Sequence, residues 1–401
     1  MSDPVTAPVT APIPTGRPSP WRDEKLRAAG IQILAMLVLC AVLAWLLGNV
    51  AANFAALDKT FGFSFLWKLP AGYDINQTLI AYTNQNSHLR AAMVGLINTG
   101  LVAVVGIVLA TVLGFAVGVL RLSDNWLVSR LAYAYVEFTR NTPVLLLILL
   151  CHGIIINALP HPRQALSFGG SVFLSNRGFY VPAPVLQPGF WIVAAAFSAA
   201  AIGAWMLCRR ARRIQAETGT RPAVFGYGSL LVCGVTAVAF AAAGGPVALD
   251  RPALRGFNFQ GGLTLIPEFV ALTGALAFYT SGFIAENVRA GILAVDRGQR
   301  DAARALGLSP RRTMKLVVLP QAMRVIVPPL TSSYLDLMKN SSLAIAIGYM
   351  DLVATLGGIT LTQTGREMEA MLLVMLIYLA VSLSMSGLMN LYNRRTRLVE
   401  R

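Results

Sequence analysis

Long apolar segments divide the sequence and indicate helices that cross a membrane. Residues 31–50 and 93–120 contain no charged side chain. Each is long enough to span a hydrocarbon core of about 30 Å, which takes roughly 20 helical residues. A helix in the core of a soluble protein would instead carry a polar stripe along one face. The pattern predicts an all-α, polytopic membrane protein with about eight transmembrane helices, at residues 30–54, 92–120, 139–158, 190–208, 224–243, 264–285, 328–350 and 370–391.

The composition supports this fold class and excludes several functions. Of the 401 residues, 56% are hydrophobic and 13% are charged, whereas soluble domains carry about 25% charged residues. The net charge of +15 does not indicate nucleic-acid binding, because the basic residues lie in short segments between the predicted spans. The four cysteines and three histidines have no metal-binding spacing. We therefore expect no metal and no cofactor in this chain.

The distribution of arginine and lysine predicts the orientation of the chain. Residues 1–28, rich in Pro, Ser and Thr, are expected to form a disordered cytoplasmic tail before an uncleaved first helix. Both termini are then cytoplasmic. This orientation places the basic segments on the cytoplasmic side, namely 121–138, the segment that begins at 209, 286–327 and 394–401. The remaining loops are expected to be periplasmic, and the last two of them irregular: 55–91, 160–189 and 244–262.

The segment 301–320 has the features of a rigid cytoplasmic protrusion. Residues 301–306 are mostly good helix formers, and Gly307 suits the left-handed conformation that ends a helix. Ser309 is a good N-cap, and Pro310 suits the first position of a second helix, which is expected to stop at Pro320. A loop that only fixed the orientation of the chain would need neither the glycine turn nor the capped second helix. We therefore interpret the segment as a docking surface. No GxxxxGK[ST] loop is present, so an ATPase that drives this protein would be a separate chain.

This segment resembles the EAA motif of permease subunits of bacterial ABC importers. The motif has Glu-Ala-Ala, then Gly, then Ile-x-Leu-Pro at fixed spacing, and here Asp replaces Glu and Val317 replaces Ile. The matching residues are Asp301, Ala302, Ala303, Gly307, Leu319 and Pro320. The resemblance implies a type I importer permease core, whose loop docks onto a dimer of ATP-binding subunits. ATP and magnesium would bind in that partner.

A second resemblance narrows the family to permeases for polar amino acids of the histidine/glutamine type. The segment 137–143 is similar to their RGTP signature, with Asn141 where Gly is usual. Residues 283–291 and 339–343 also resemble that group, and 175–182 is similar to the long permeases of general L-amino-acid and glutamate/glutamine/aspartate/asparagine importers. The resemblance implies an L-amino acid substrate, a periplasmic amino-acid-binding protein and a second, different permease subunit.

These observations together predict the division of the chain. The expected parts are a tail (1–28), the first helix and its periplasmic loop (29–91), the first part of the core (92–150), an insertion with two extra transmembrane helices (151–263), the second part of the core with the loop 286–327 (264–393), and a basic tail (394–401).

Polar residues within or beside the predicted spans are the candidates for a substrate path, because such residues are costly in a membrane. They are Asn98, Thr99, Glu137, Arg140, Thr142, Tyr279, Ser281, Asp336, Asn340, Ser341 and Ser342. A zwitterionic amino acid needs an acceptor for its ammonium and a donor for its carboxylate. Two pairs of residues, each spaced by about one helical turn, offer both an acceptor and a donor: Glu137 with Arg140, and Asp336 with Lys339. Interhelical hydrogen bonds at a subunit interface would use the same residue types, so both roles stay open.

Two other classes of function are weighed against an ATP-driven permease that works by alternating access. An ion-coupled secondary amino-acid transporter would favour a lone carboxylate in the middle of a span, which the predicted spans lack. A membrane-embedded enzyme would need a cluster of catalytic side chains, and none is evident. The sequence therefore predicts a transport subunit rather than an enzyme, without indicating which amino acids it carries.

Overall fold

The computed structural model describes residues 24–57, 60–219 and 224–396, in two units, Met1–Phe63 and Ser64–Arg401. The first unit contributes helix α1 (Glu24–Ala56), which has 33 residues and no buried side chain among those described. An apolar helix that is exposed on all sides within its own unit is suited to contact with lipid. The predicted tails 1–28 and 394–401 lie mostly outside the described residues.

The second unit is built mainly from helices. They are α2 (Phe65–Lys68), α3 (His88–Leu120), α4 (Trp126–Asn141), α5 (Val144–Ala158), α6 (Phe190–Thr218), α7 (Val224–Ala242), α8 (Pro267–Leu293), α9 (Arg297–Ala305), α10 (Pro310–Thr313), α11 (Leu319–Asn340), α12 (Leu361–Thr364) and α13 (Glu367–Thr396). Shorter segments of 3-10 helix (Pro162–Gln164 and Ser341–Ile347) and of π-helix (Met314–Val318 and Val353–Thr360) stand between them.

Helices α3 and α8 form the centre of this unit and pack closely along their length. The close approach depends on glycine, because a Cβ atom on Gly118 would lie 2.7 Å from the carbonyl oxygen of Ala285. Small residues play this role in membrane helix pairs, where packing replaces the hydrophobic effect. Helices α5 and α11 add completely buried side chains to the same core, among them Ile148 and Leu337.

The predicted polytopic helical fold is confirmed. Five helices of the described chain are long and apolar enough to cross a membrane, namely α1, α3, α6, α8 and the part Glu367–Leu391 of α13. A sixth span is formed if α4 and α5, which meet at a bend of 106°, are taken together. The two other predicted spans correspond to α7, with 19 residues, and to α11, which carries three charged side chains. For these two helices, membrane crossing stays a prediction.

Helices extend past three of the predicted span limits, for one physical reason. Most of the predicted loop 121–138 is helix α4, which begins where the Asn125 side chain accepts hydrogen bonds from two backbone N–H groups. Helix α6 continues to Thr218 instead of ending at 208, and α8 continues to Leu293 instead of 285. A helix does not end where its apolar stretch ends, because arginine and glutamate are good helix formers. Most of the arginines that were assigned to these loops therefore lie on helices, whereas Arg121 directly follows the end of α3.

The predicted span 328–350 was also misplaced. Helix α11 begins at Leu319 and runs through Pro328 and Pro329 to Asn340. The chain then forms 3-10 helix, which ends at Gly348 with φ of 77°. Apolar composition does not distinguish the two kinds of helix, since residues 343–347 are apolar but do not continue the α-helix.

The predicted irregular loops 160–189 and 244–262 instead fold together as a small β module, defined here as residues 159–189 and 243–266. Its strands are β1 (Leu166–Phe168), β2 (Val172–Ser175), β3 (Gly178–Val181), β4 (Ala183–Leu186), β5 (Val247–Asp250), β6 (Ala253–Arg255), β7 (Asn258–Gln260) and β8 (Leu263–Leu265). They pair in the orders β1-β2-β3-β8, β4-β5 and β6-β7, all antiparallel. Tyr180 is buried within the module. The ring of Phe259 contacts the rings of both Tyr180 and Phe173, and the centroids of Phe259 and Phe173 are 4.4 Å apart.

Candidate functional site

A cleft of about 510 Å³ lies between helices α8 and α11. It is lined by Tyr279, Thr280, Phe283, Asn287, Pro329, Ser332, Ser333, Asp336, Lys339 and Asn340. On α11 these residues recur at helical spacings, which places them on one face of the helix. The other face carries Leu330 and Leu337, which are buried in the core. Packing of the apolar face therefore holds the polar face open toward the cleft.

The cleft is lined by side chains of both charges. Asp336 supplies a carboxylate, Lys339 supplies an ammonium group one turn away, and both side chains are exposed to the cleft. Asn287 and Asn340 add amide groups, which both donate and accept hydrogen bonds. Ligand pockets combine apolar walls with a few convergent polar groups. This cleft has the size and the charges to hold a small zwitterion.

Three of the predicted path residues, Tyr279, Asp336 and Asn340, line this cleft. Ser281 does not, because its hydroxyl is fully buried and bonds the hydroxyl of Tyr135 at 2.6 Å. Ser341 donates to the carbonyl oxygen of Met338. These two serines serve helix packing and the end of α11 rather than the cleft.

Ser342 and the polar residues at the start of α3 also serve local structure. Ser342 donates to the carbonyl oxygen of Lys339 at 2.7 Å. Asn98 is buried and donates from Nδ2 to the carbonyl oxygens of Gln77 and Met350. The Thr99 hydroxyl donates within its own helix and accepts from the backbone N–H of residue 352 at 3.1 Å. These bonds tie α3 to the segment that precedes the π-helix, away from the cleft.

The predicted pairing of Glu137 with Arg140 is replaced by other contacts at the bend between α4 and α5. Glu137 accepts a hydrogen bond from Asn141, and the guanidinium of Arg140 lies over the ring of Phe283, 5.8 Å from its centroid. Thr142 donates from Oγ1 to the carbonyl oxygen of residue 138 at 2.7 Å. Since Phe283 also lines the cleft, Arg140 contacts a residue of the cleft wall. The bend thus supports the wall of the cleft.

Thr280, which lies between two of the predicted path residues, also lines the cleft. The lining residues that were not predicted are Phe283, Asn287, Pro329, Ser332 and Ser333. The sequence does carry a pattern that indicates the lining face of α11. Polar or small residues repeat at positions 329, 332, 333, 336, 339 and 340. Such a stripe on an otherwise apolar helix marks the face that turns away from lipid.

The segment 301–320 has much of the predicted shape. Asp296 caps the N-terminus of helix α9, where its side chain accepts a hydrogen bond from the backbone N–H of Gly298. It ends at Gly307, with φ of 75°. The backbone N–H of residue 308 donates to the carbonyl oxygen of Ala303 at 3.1 Å, the hydrogen bond that closes a Schellman motif. Ala303 is buried, whereas Leu306 at the tip is 82% exposed. The turn therefore presents an apolar side chain to its surroundings.

The remaining predicted motif residues differ in their burial, and one prediction about them was wrong. Asp301 and Ala302 are exposed on α9, and Leu319 is 41% exposed. The second helix does not stop at Pro320. It passes from α10 through the π-helix Met314–Val318 directly into α11. Pro320 occupies the first turn after the π-helix, where the wider hydrogen-bond pattern accommodates a residue without an N–H. The segment is therefore continuous with a cleft-lining helix.

A charged cluster joins α3 to α8 near the end that leads into α9. The Glu286 carboxylate bonds the guanidinium groups of Arg121 and Arg289, the latter at 2.6 Å. The Arg121 side chain is only 10% exposed, so it depends on Glu286 to offset the cost of desolvation.

We expect Glu286→Gln to lower the free energy of unfolding by about 2 kcal/mol, because it leaves the buried guanidinium of Arg121 without an anion. Thermal unfolding of the purified protein in detergent measures this change. Asp301→Asn is the matched control, since Asp301 and Arg304 form a pair of the same spacing with both side chains 70% exposed. That substitution should cost less than about 0.5 kcal/mol. Equal effects of the two substitutions would contradict the assigned role of Glu286.

Comparison with known proteins identifies the family. The model of the binding-protein-dependent transport system inner membrane component matches residues 232–398. The chain is 46% identical to the putative amino-acid ABC transporter permease protein YhdX of Escherichia coli, over 95% of this chain and 97% of that protein. It is 48% identical to the glutamate/glutamine/aspartate/asparagine transport system permease protein BztB of Rhodobacter capsulatus, over 94% and 96%. The general L-amino acid transport system permease protein AapQ of Rhizobium johnstonii is 42% identical, over 94% of both chains.

Among solved structures, a crystal structure of an amino acid ABC transporter with histidines covers 77% of this chain and 95% of its own, with a TM-score of 0.46 and 22% identity. The assignment rests on the curated relatives, which match almost from end to end and share more than two fifths of their residues with this chain. The chain therefore belongs to the amino-acid ABC transporter permeases, a group of binding-protein-dependent inner membrane transport components.

Proposed function

We propose that this chain carries an L-amino acid across the bacterial inner membrane, from periplasm to cytoplasm, through the cleft between α8 and α11. The observation that carries the proposal is the presence of Asp336 and Lys339 on the same wall of that cleft. The curated relatives are named as permeases for amino acids, which have both an ammonium and a carboxylate group. Membership of this family counts against the ion-coupled alternative.

In the proposed path, Asp336 accepts hydrogen bonds from the ammonium group of the cargo, and Lys339 donates to its carboxylate. Charge-assisted hydrogen bonds of this kind are the strong ones, at about 1.5–3 kcal/mol each. Asn287 and Asn340 hydrogen-bond the remaining polar atoms, while the rings of Tyr279 and Phe283, with centroids 5.1 Å apart, form the apolar wall. The cleft is open along one side, which a second and different permease subunit would close.

The segment 301–320 is the proposed contact with a dimer of separate ATP-binding subunits, which would bind ATP and magnesium. Its tip lies beyond the end of α8, and its second half continues into α11. Motion of the docked segment would therefore reach a wall of the cleft without an intervening flexible loop. Closure of the ATPase dimer would favour the outward-open state, and hydrolysis would return the inward-open state. Such a shift requires different affinity for the two states, here supplied by ATP.

In the proposed orientation, both termini are in the cytoplasm and the β module is outside it. Helix α8 separates the β module, which ends just before Pro267, from α9, which follows Leu293. At about 1.5 Å per residue, 27 helical residues span about 40 Å, enough to put them on opposite sides of a membrane. A periplasmic binding protein would then deliver the amino acid on the side of the β module.

Asp336→Asn is expected to raise the KM for ATP-driven uptake about tenfold or more, because the neutral amide loses a charge-assisted bond to the ammonium group. Uptake of radiolabelled glutamine and glutamate by the complete transporter in proteoliposomes, with its binding protein outside and ATP inside, measures this effect. Lys339→Gln should act in the same direction.

Asp124→Asn is the control, because Asp124 is an exposed carboxylate in the connection between α3 and α4, outside the cleft. It should leave the KM unchanged. Unchanged kinetics in both cleft variants would show that the cargo does not use this cleft. Absence of ATP-dependent amino-acid uptake by the unmodified transporter would overturn the proposed function itself.

A further inference from the structure

The β module is a separate folded layer that stands over the ends of four helices. Helix α5 leads into its first segment and α6 leaves it, while α7 leads into its second segment and α8 leaves it. The two segments are joined by pairing of β3 with β8 and of β4 with β5. A hydrogen bond of 2.6 Å from the Tyr180 hydroxyl to Asn258 adds a further link. The module is thus a rigid platform at one end of the helices.

The surface of this platform is basic, contrary to what its side of the membrane would favour. The β module contains four arginines, at positions 163, 177, 251 and 255, and a single carboxylate, Asp250. All four arginine side chains are exposed. The carboxylate of Asp250 accepts a hydrogen bond from the backbone N–H of Gly262 at 2.8 Å, so part of its acceptor capacity is used within the module. Extracytoplasmic loops are usually poor in arginine, so orientation does not explain this charge.

Two of these arginines border a groove of about 320 Å³. The groove is lined by His161, Pro162, Arg163, Gln164, Arg177 and Phe257. The guanidinium of Arg163 lies 4.5 Å from the ring centroid of Phe257, and that ring is 72% exposed. Arginine and aromatic side chains are enriched at protein–protein contact sites, where they act as anchors. A groove of this kind suits a carboxylate beside an apolar side chain.

We propose that the β module is the docking surface for an acidic face of the periplasmic amino-acid-binding protein. This inference rests on the proposed function, which requires such a partner on this side. Complementary charge steers a partner into register and raises the association rate more than it raises affinity. Strand β8 leads through one residue into α8, which lines the cleft. The first cleft-lining residue of α8 is Tyr279, about 18 Å along the helix from Pro267. A protein bound on the β module would therefore stand at the end of a helix that forms a wall of the proposed path.

The test uses the complete transporter in nanodiscs of zwitterionic lipid and the purified, amino-acid-loaded binding protein of the same system. We expect the double substitution of Arg163→Glu and Arg177→Glu to lower the association rate constant about tenfold at low salt. The difference from the unmodified complex should shrink at high salt, since the Debye length falls to about 3 Å at 1 M. Arg255→Glu, a single exposed change on strand β6, should give a smaller shift in the same direction.

Lys68→Glu is the matched control, because Lys68 is an exposed cation on α2, outside the β module. It should leave the association rate constant close to that of the unmodified complex. The proposal would be overturned if both arginine variants had the same association rate constant and the same salt dependence as the unmodified complex. An effect that appeared only in nanodiscs with anionic lipid would overturn it as well, since the arginines would then bind lipid headgroups. If the binding protein did not stimulate the ATPase of the unmodified transporter, the proposed function itself would fail. That outcome differs from one in which stimulation occurs but the arginine variants have no effect.

Discussion

Gly307→Val is expected to reduce ATP-driven uptake at least about tenfold and to weaken co-purification of the ATP-binding subunits. Gly307 ends helix α9 with φ of 75°, a left-handed conformation that a β-branched side chain adopts only at a cost of about 1–3 kcal/mol. Because each 1.4 kcal/mol changes a population about tenfold, valine would shift most molecules away from the turn that presents Leu306.

The effect should be confined to coupling, because a Cβ atom at Gly307 meets nothing within 4 Å among the described residues. Thermal stability of the isolated subunit is therefore expected to fall by no more than the strain of the turn itself, about 1–3 kcal/mol. Gly307→Asn is the matched control, since asparagine tolerates the left-handed region far better than valine. It should retain most of the uptake. A valine variant that bound the ATPase and transported normally would show that segment 301–320 does not require this turn for docking.

Local signals explain why this turn was predictable from the sequence. Gly307, Ser309 and Pro310 each act through conformational preferences of their own backbone. The turn at Gly307 was confirmed, although the Ser309 side chain forms no capping hydrogen bond. Pro320 was misjudged because the π-helix before it is a feature of the continuous helix, and proline alone does not reveal it.

Predictions that depended on tertiary contacts were less successful. Tyr279 and Ser281 are two residues apart on α8, and only the packing of Tyr135 against Ser281 decides which of them faces the cleft. The strands of the β module contain three or four residues each, and β3 pairs with β8 from a segment about 80 residues away. Neither periodicity nor propensity is informative over so few residues.

The α3–α8 contact carries the largest expected effect on folding. We predict that Gly118→Leu lowers the free energy of unfolding by about 3 kcal/mol or more and prevents recovery of monodisperse protein. A Cβ atom there would lie 2.7 Å from the carbonyl oxygen of Ala285 and 2.8 Å from Cβ of Val288. The backbone oxygen cannot rotate away as a side chain would, so the two helices must separate.

Gly100→Leu places the same side chain on the same helix, at an exposed position where a Cβ atom meets nothing within 4 Å of it among the described residues. This control should be neutral or slightly stabilising, since leucine has a higher helix propensity than glycine by up to about 1 kcal/mol. Size-exclusion profiles and thermal unfolding in detergent distinguish the two outcomes. If both variants were recovered with the same stability, α3 and α8 would not pack as closely as described. Because α8 also lines the cleft, separation of this pair would alter the proposed path at its wall, so a folded Gly118→Leu protein should transport poorly as well.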